Sequence, residues 1–268
     1  MAYHHAHPSV HLRPFVKQYW GITGCDSPSG EHTHRVVPSG MPELILYIGH
    51  KPTSDGRNIE DHCLVSGQQN DFHDLHLMQP PTLFAVTFHP QGISQLFPIP
   101  MSELTNRTIP LKYLNGSLYN DLFARLSDAT TFEHRVQITE RLLLSMLTRH
   151  HQRFEFARIQ EVIHAILYHG GSVGVSELAE ISCLSIKQFE RVFLEQIGLT
   201  PKQYLRIVRF QAAIHRKAMD RSLSLSHLAC DAGYYDQPHL SNEFKALSGL
   251  TPGQFFANCD PVSDLFGS

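Results

Sequence analysis

The strongest constraint on this chain is that it nearly repeats itself. The stretch SELAEISCLSIKQFERVFLEQIGLTPKQY, residues 176–204, returns about fifty residues later as SHLACDAGYYDQPHLSNEFKALSGLTPGQF, residues 226–255. Leu178 and Ala179 recur as Leu228 and Ala229 at an offset of 50. After one inserted residue in the turn, Phe189, Phe193, Gly198, Thr200 and Pro201 recur as Leu240, Phe244, Gly249, Thr251 and Pro252 at an offset of 51. In each copy Leu-Ala opens a short helix, the small Ala lets the next helix approach closely, and a tight turn follows at Cys183 or Gly233. A second helix starts after it. In the first copy Ser185 is placed as its N-cap, Phe189 and Phe193 line the buried face with Val192 and Ile197, and Lys187, Gln188, Glu190, Arg191 and Gln196 form the opposite face. In the second copy Leu240, Phe244 and Leu247 form the buried stripe, while Asp236, Gln237, His239, Asn242, Glu243 and Lys245 look outward. Gly198 and Gly249 end these helices, and Thr-Pro begins the next one each time.

A short helix, a tight turn and a second helix with a polar outer face make a helix-turn-helix, whose second helix enters the DNA major groove. Between the units, TPKQYLRIVRFQAAIHRKAMD reads as one long helix carrying Arg206, Arg209, Arg216 and Lys217. It fixes the spacing of the two readers. If that spacing is near one turn of B-DNA, about 34 Å, both helices reach successive major grooves and a monomer reads an asymmetric site. Charge alone would not have revealed this: the net charge is -3, and residues 151–258 hold 11 basic against 10 acidic side chains. Duplex binding rests on neutralising phosphates, so the case is positional.

These motifs resemble the AraC/XylS family of bacterial transcription regulators over roughly residues 155–258. The linker supplies Arg209 and Ala213 of the family's R-x-x-x-A element, and the second unit supplies Gly233, Tyr234, Asp236, His239 and Leu240. The resemblance implies DNA contacts from Ser185, Lys187, Gln188, Glu190 and Arg191 in one groove and from Asp236, Gln237, Pro238, His239 and Asn242 in the next, with Lys245 meeting phosphate. It implies double-stranded promoter DNA and RNA polymerase as partners, and activation as the outcome. Two departures stand out. Cys183 occupies a turn position where the family favours Gly, at a cost of about 1 kcal/mol if that position needs positive φ. Asn242 stands where an Arg is usual, which removes a phosphate or guanine contact. Glu190 either accepts from a cytosine amine or orients Arg191.

Residues 1–110 carry short apolar stretches such as MPELILYIG and PTLFAVTFHP between Gly, Pro, Asn and Asp clusters, which predicts strands and turns. From about Phe132 the apolar spacing changes to three and four residues, predicting two helices that break near 149–154. The Leu142, Leu143, Leu144, Met146 and Leu147 cluster packs on the N-terminal domain or forms a dimer face. The expected domains are a sensor domain over 1–152, the tandem helix-turn-helix domain over 153–258 and a tail over 259–268. The fold class is α+β. The N-terminal part is similar to the small β-rich sensor domains of such regulators, through Pro14-Phe15-Val16 to Tyr19-Trp20, Pro38-Ser39-Gly40, Glu43-Leu44-Ile45, Ser66-Gly67 and Phe88-His89-Pro90-Gln91-Gly92. That likeness implies a cupin-like half-barrel, control by a small-molecule effector or by self-association as a homodimer, and Tyr19, Trp20, Tyr47 and Phe88 as candidates for an effector pocket, with core packing as their plainer role.

No apolar run approaches the roughly 18 residues of a membrane helix, and the first residues lack the apolar stretch of a secretion signal, so a cytoplasmic bacterial protein with no membrane partner is expected. The cysteines, Cys25, Cys63, Cys183, Cys230 and Cys259, are odd in number and far apart, which makes free thiols the default. No GxSxG elbow, P-loop or dinucleotide fingerprint occurs. No catalytic residue, metal or cofactor is expected: despite 19 histidines, including His4, His5, His7, His11 and His32-x-His34, Pro38 and Ser39 stand where a cupin metal site would place its Glu. His73 and His76 beside Asp71 and Asp74 read as a surface polar cluster or a ligand contact. Two rivals stay open, a metal-dependent cupin enzyme fused to a DNA-reading tail and a protein-interacting regulator whose DNA contacts have decayed.

Overall fold

The computed structural model describes residues 2–23, 32–78, 82–147 and 153–258. Its N-terminal part is built from ten strands: β1 (Ala2–Ala6), β2 (Val16–Thr23), β3 (His32–Val36), β4 (Glu43–Tyr47), β5 (Thr53–Ser54), β6 (Arg57–Asn58), β7 (Cys63–Ser66), β8 (His73–Leu77), β9 (Leu83–Phe88) and β10 (Thr108–Pro110). They pair antiparallel throughout. One sheet has six strands in the order β1-β2-β9-β4-β7-β10, and the other has four in the order β3-β8-β5-β6. Short 3₁₀ turns at Ile93–Gln95 and Met101–Leu104 follow β9.

Alternate residues of a strand face opposite sides, and the six-stranded sheet divides its apolar side chains accordingly. Tyr19, Leu44, Leu46, Val65, Phe84, Val86 and Phe88 lie on one side, in a core shared with the helices that follow. Trp20, Tyr47, Leu64, Leu83 and Ala85 form a smaller cluster on the other. Those helices are α1 (Leu111–Leu114), α2 (Gly116–Asp128) and α3 (Phe132–Leu147). Neither α1 nor α2 was foreseen. Asn115 caps α2 by accepting from the Leu118 amide, and Leu118, Leu122 and Leu126, spaced by four, bury one stripe against the sheet. Leu143 is fully buried in the same core, with Leu142, Leu144, Met146 and Leu147 packed around it, which is the core role among those expected of that cluster.

The C-terminal part is helical: α4 (Arg153–Tyr168), α5 (Val175–Ile181), α6 (Ile186–Ile197), α7 (Pro201–Met219), α8 (Leu225–Asp231), α9 (Gln237–Ser248) and α10 (Pro252–Asn258). It has its own core, running from Ile159 to Phe255. Strand-rich and helix-rich parts in succession give the α+β class. The expected boundary at 152 and the tail at 259–268 lie outside the described residues, as do Cys25 and Cys259; Cys63, Cys183 and Cys230 are free thiols.

Candidate nucleic-acid interface

The two copies of the repeat fold alike down to individual hydrogen bonds. In the first, the amides of Ser182, Cys183 and Leu184 donate to the carbonyls of Leu178, Glu180 and Ala179 at 3.0, 2.9 and 3.1 Å. In the second, Ala232, Gly233 and Tyr234 donate to Leu228, Cys230 and Ala229 at 3.0, 3.2 and 2.9 Å. This bonding turns the chain through the left-handed region at its middle residue, where Cys183 has φ 53° and Gly233 φ 75°. The positive φ expected of Cys183 is therefore present, with its strain.

Each reader helix is then capped at both ends. Ser185 accepts from the Gln188 amide while the Gln188 side chain returns to Ser185, a capping box that fixes the start of α6. Asp236 accepts from the His239 amide at 2.8 Å to start α9. Gly198 and Gly249 close the helices with φ 91° and 71°. Inward, Phe189 and Phe193 pack edge to face, and Phe244 does the same with Phe210 and Phe255. Burying each such ring contributes roughly 2–3 kcal/mol, so the outward polar faces ride on firmly seated helices.

Lys187, Glu190 and Arg191 are exposed on α6, and Gln237, Pro238, Asn242 and Lys245 on α9. Arg191 meets Glu195 at 3.6 Å, but both ends are well exposed, so the pair is weak and leaves the guanidinium available to a phosphate or a base. Several expected contacts are engaged elsewhere. The Ser185, Gln188 and Asp236 side chains serve the caps. His239 is half-buried, its ring against Tyr234 with centroids 5.3 Å apart, and Gln237 accepts from the Ser226 hydroxyl at 2.9 Å. Two residues expected to face outward do not. Gln196 is buried and accepts from the Ser94 hydroxyl of the N-terminal part at 3.1 Å. Glu243 turns back to α7, where its two oxygens each take the Arg206 Nε–H at 3.0 Å. Linker residue Arg209 likewise works within the fold, donating to the Gly171 carbonyl at 2.9 Å and passing beside Gly233.

The four effector-pocket candidates do not share a pocket wall. Tyr19 and Phe88 lie in the core against the helices, while Trp20 and Tyr47 lie across the sheet from them. Neighbours Tyr19 and Trp20 must point apart in a strand, so the four cannot line one site. Of the expected polar cluster, Asp74 is bound by both ends of the Arg35 guanidinium, which hold its carboxyl below the usual carboxylate range, and burial lowers His73. Among the described residues, no group of three or more His, Cys, Asp or Glu is arranged to hold a metal ion, and no helix is long and apolar enough to cross a membrane.

Sequence reasoning missed the contacts that join the two parts, and two of these fall at the C-terminal ends of the reader helices. At the end of α6, the Thr105 hydroxyl donates to the Gly198 carbonyl. At the end of α9, Arg35 Nη1 donates to the Ser248 carbonyl at 3.1 Å, with its guanidinium 4.5 Å over the Phe72 ring. Both glycine caps are closely covered: a Cβ on Gly198 would lie 2.7 Å from the Met101 carbonyl oxygen, and one on Gly249 would lie 2.5 Å from Phe72 Cζ. Between them, Gln211 of α7 donates to the Pro38 carbonyl at 2.6 Å. The N-terminal part thus grips both reader helices by their C-terminal ends.

Comparison with known proteins agrees with this geometry. A family model described as a helix-turn-helix domain matches residues 178–258. An uncharacterized HTH-type transcriptional regulator of Haemophilus influenzae is 31% identical over 81 residues, 30% of this chain and 27% of its own. Over this domain the chain is similar to HTH-type regulators of transcription. The arabinose operon regulatory protein of Escherichia coli is 23% identical over 159 residues, 55% of this chain and 54% of its own. Thus the chain spans from about a quarter to about half the length of these two curated relatives. Both of these proteins carry the names of regulators. The N-terminal part, residues 4–110, matches a domain of unknown function (DUF6597). Among solved structures, ToxT from Vibrio cholerae aligns over 85% of this chain and 96% of its own at 9% identity, with a TM-score of 0.48.

Proposed function

We propose that the protein is a sequence-specific, DNA-binding transcription regulator of the activating kind, controlled through its N-terminal domain. The observation that carries this reading is the identity of the two turns, from their amide-to-carbonyl bonds to their positive-φ residue, with an exposed polar helix face standing on each. Lys187 and Arg191 read or anchor one major groove, and Gln237, Asn242 and Lys245 the next, within promoter DNA that the protein presents to RNA polymerase. The domain over 153–258 reads and the domain over 1–152 governs. The grip on both reader ends supports that control: an effector, or a second copy of the chain in a homodimer, biases DNA binding insofar as it favours one arrangement of the clasp over another. Selection of bound fragments from a random duplex library tests the proposal, followed by affinity against salt. The expected result is a motif of two short elements about one helical turn apart, with affinity falling steeply in salt. Failure to enrich any sequence would favour the protein-interacting rival.

A further inference from the structure

One carboxylate in the N-terminal domain has no part in reading DNA and no cation to pair with among the described residues. Strand register places Tyr3, Trp20, Ile45, Glu43, Tyr47, Ala85 and Thr87 on the face of the six-stranded sheet turned away from α2 and α3. The Trp20 indole N–H donates to Glu43 Oε1 and to Thr87 Oγ1, both at 3.1 Å, and the Thr87 hydroxyl donates to the same Oε1 at 2.7 Å. Both donors therefore hold one oxygen. Oε2 takes no hydrogen bond among the described residues, and no Lys, Arg or His among them forms an ion pair with Glu43.

The surroundings are mixed: Gln18, Thr87 and Ser66 share the cross-strand row of Glu43 and His5 stands opposite Trp20, while an aromatic cluster lies beside them. Tyr3 and Trp20 rings lie 6.4 Å apart, Tyr47 is buried beside them, and Ile22 and Ile45 flank the cluster. Burial pushes the Glu43 carboxyl up from its ordinary range while the Thr87 and Trp20 hydrogen bonds pull it down, and the nearby Tyr3 and Tyr47 phenols are raised by burial and by the charge of Glu43. The residue as a whole is half-buried.

We propose that this face binds a small organic cation, an ammonium or amidinium carried on a flat apolar body, with Glu43 Oε2 taking the charge and Trp20, Tyr3 and Tyr47 covering the body. A carboxylate held away from water without a partner is costly, and a cation offsets that cost where an anion adds to it. Aromatic faces favour the same sign of charge. A neutral ligand would gain the apolar contact alone. The inference rests on the reading of this domain as the controlling one and names the chemistry of its effector.

Trp20 is the only tryptophan of the chain and sits on the carboxylate, so its emission reports this site alone. The full chain is titrated with benzylammonium, benzyl alcohol and benzoate. The expected result is a saturable emission change with benzylammonium, at least about tenfold weaker binding of the alcohol, as a charge-assisted hydrogen bond implies, and no binding of benzoate. Glu43→Gln keeps an acceptor for Trp20 and Thr87 and should erase the preference for the cation, with circular dichroism confirming the fold. The proposal is overturned if benzylammonium gives no saturable change, if the alcohol binds equally well, or if the folded variant keeps the preference. Should the variant not fold, the three probes on the native chain decide alone. Fragment selection needs no ligand, so a failure here leaves the DNA-binding reading standing.

Discussion

Cys183 and Gly233 stand at equivalent positions of the repeat, both in the left-handed region, and reciprocal substitutions there have opposite signs. At φ 53° Cys183 carries about 1–2 kcal/mol of strain that glycine lacks, while glycine loses about 0.5–1 kcal/mol more backbone entropy on folding. The Cys183 side chain is exposed and its removal forfeits little packing. Cys183→Gly should therefore stabilise the protein by about 0.5–1 kcal/mol, a rise in Tm of about 1–4 °C for a chain of this size. Gly233→Ala acquires the same strain and places its Cβ 1.9 Å from Ser172 Oγ and 3.1 Å from Ser172 Cβ, an overlap that rotating the hydroxyl relieves only in part. With overpacking added to strain, it should cost about 2–4 kcal/mol. Thermal and urea unfolding followed by far-ultraviolet circular dichroism reads both. A loss of stability in Cys183→Gly, or a neutral Gly233→Ala, would refute the claim that the two turns are conformational equivalents.

Removing the grip on α9 by Arg35→Ala deletes a charged hydrogen bond to the Ser248 carbonyl and a cation-π contact, so amide exchange in the last turn of α9 should accelerate by about tenfold, while unchanged exchange would mean that the grip adds nothing. Arg206 and Glu243 are 39% and 13% exposed at their side chains, so screening limits a double-alanine cycle to a coupling of about 1 kcal/mol, and a coupling of zero would dissolve the pair as a brace for the second reader. Burial lowers His89 and His73 below the ordinary histidine range, and Lys17 and His164 lower His89 further. A folded-state value under the unfolded one means that stability is full above about pH 6.5 and declines as pH falls below it. The decline in Tm between pH 7.5 and 5.5 should shrink in His89→Gln; an equal decline in the variant would assign it elsewhere.

What was legible in the sequence was whatever repeated or kept a clean period. The turns, the Ser185 and glycine caps and the buried stripes of α5, α6, α8 and α9 followed from two copies of one pattern, each of which corroborated the other, whereas Asp236 was read as outward and caps α9. Helix α2 was missed although Asn115 and the Leu118, Leu122, Leu126 spacing announce it, because the apolar stripe is narrow and Gly116 interrupts its start. Grouping Tyr19 with Trp20 ignored the period of two that separates them. Gln196 and Glu243 were read as outward because a polar side chain on a helix gives no sign of a partner 102 or 37 residues away. The grip of Arg35 and Thr105 on the reader ends was hidden for the same reason, since what each takes from the reader helix is a backbone carbonyl.

The central claim is that α6 and α9 read two separate elements of one DNA site. Its most direct test is to repeat the fragment selection with Arg191→Ala and with Gln237→Ala, and to measure both variants on the native motif mutated one element at a time. Arg191→Ala should lose discrimination in one element by about 10- to 100-fold, corresponding to about 1–3 kcal/mol per base contact, and Gln237→Ala should do the same in the other. If both variants relax the same element, or neither changes the selected motif, then the two helices are not tandem readers.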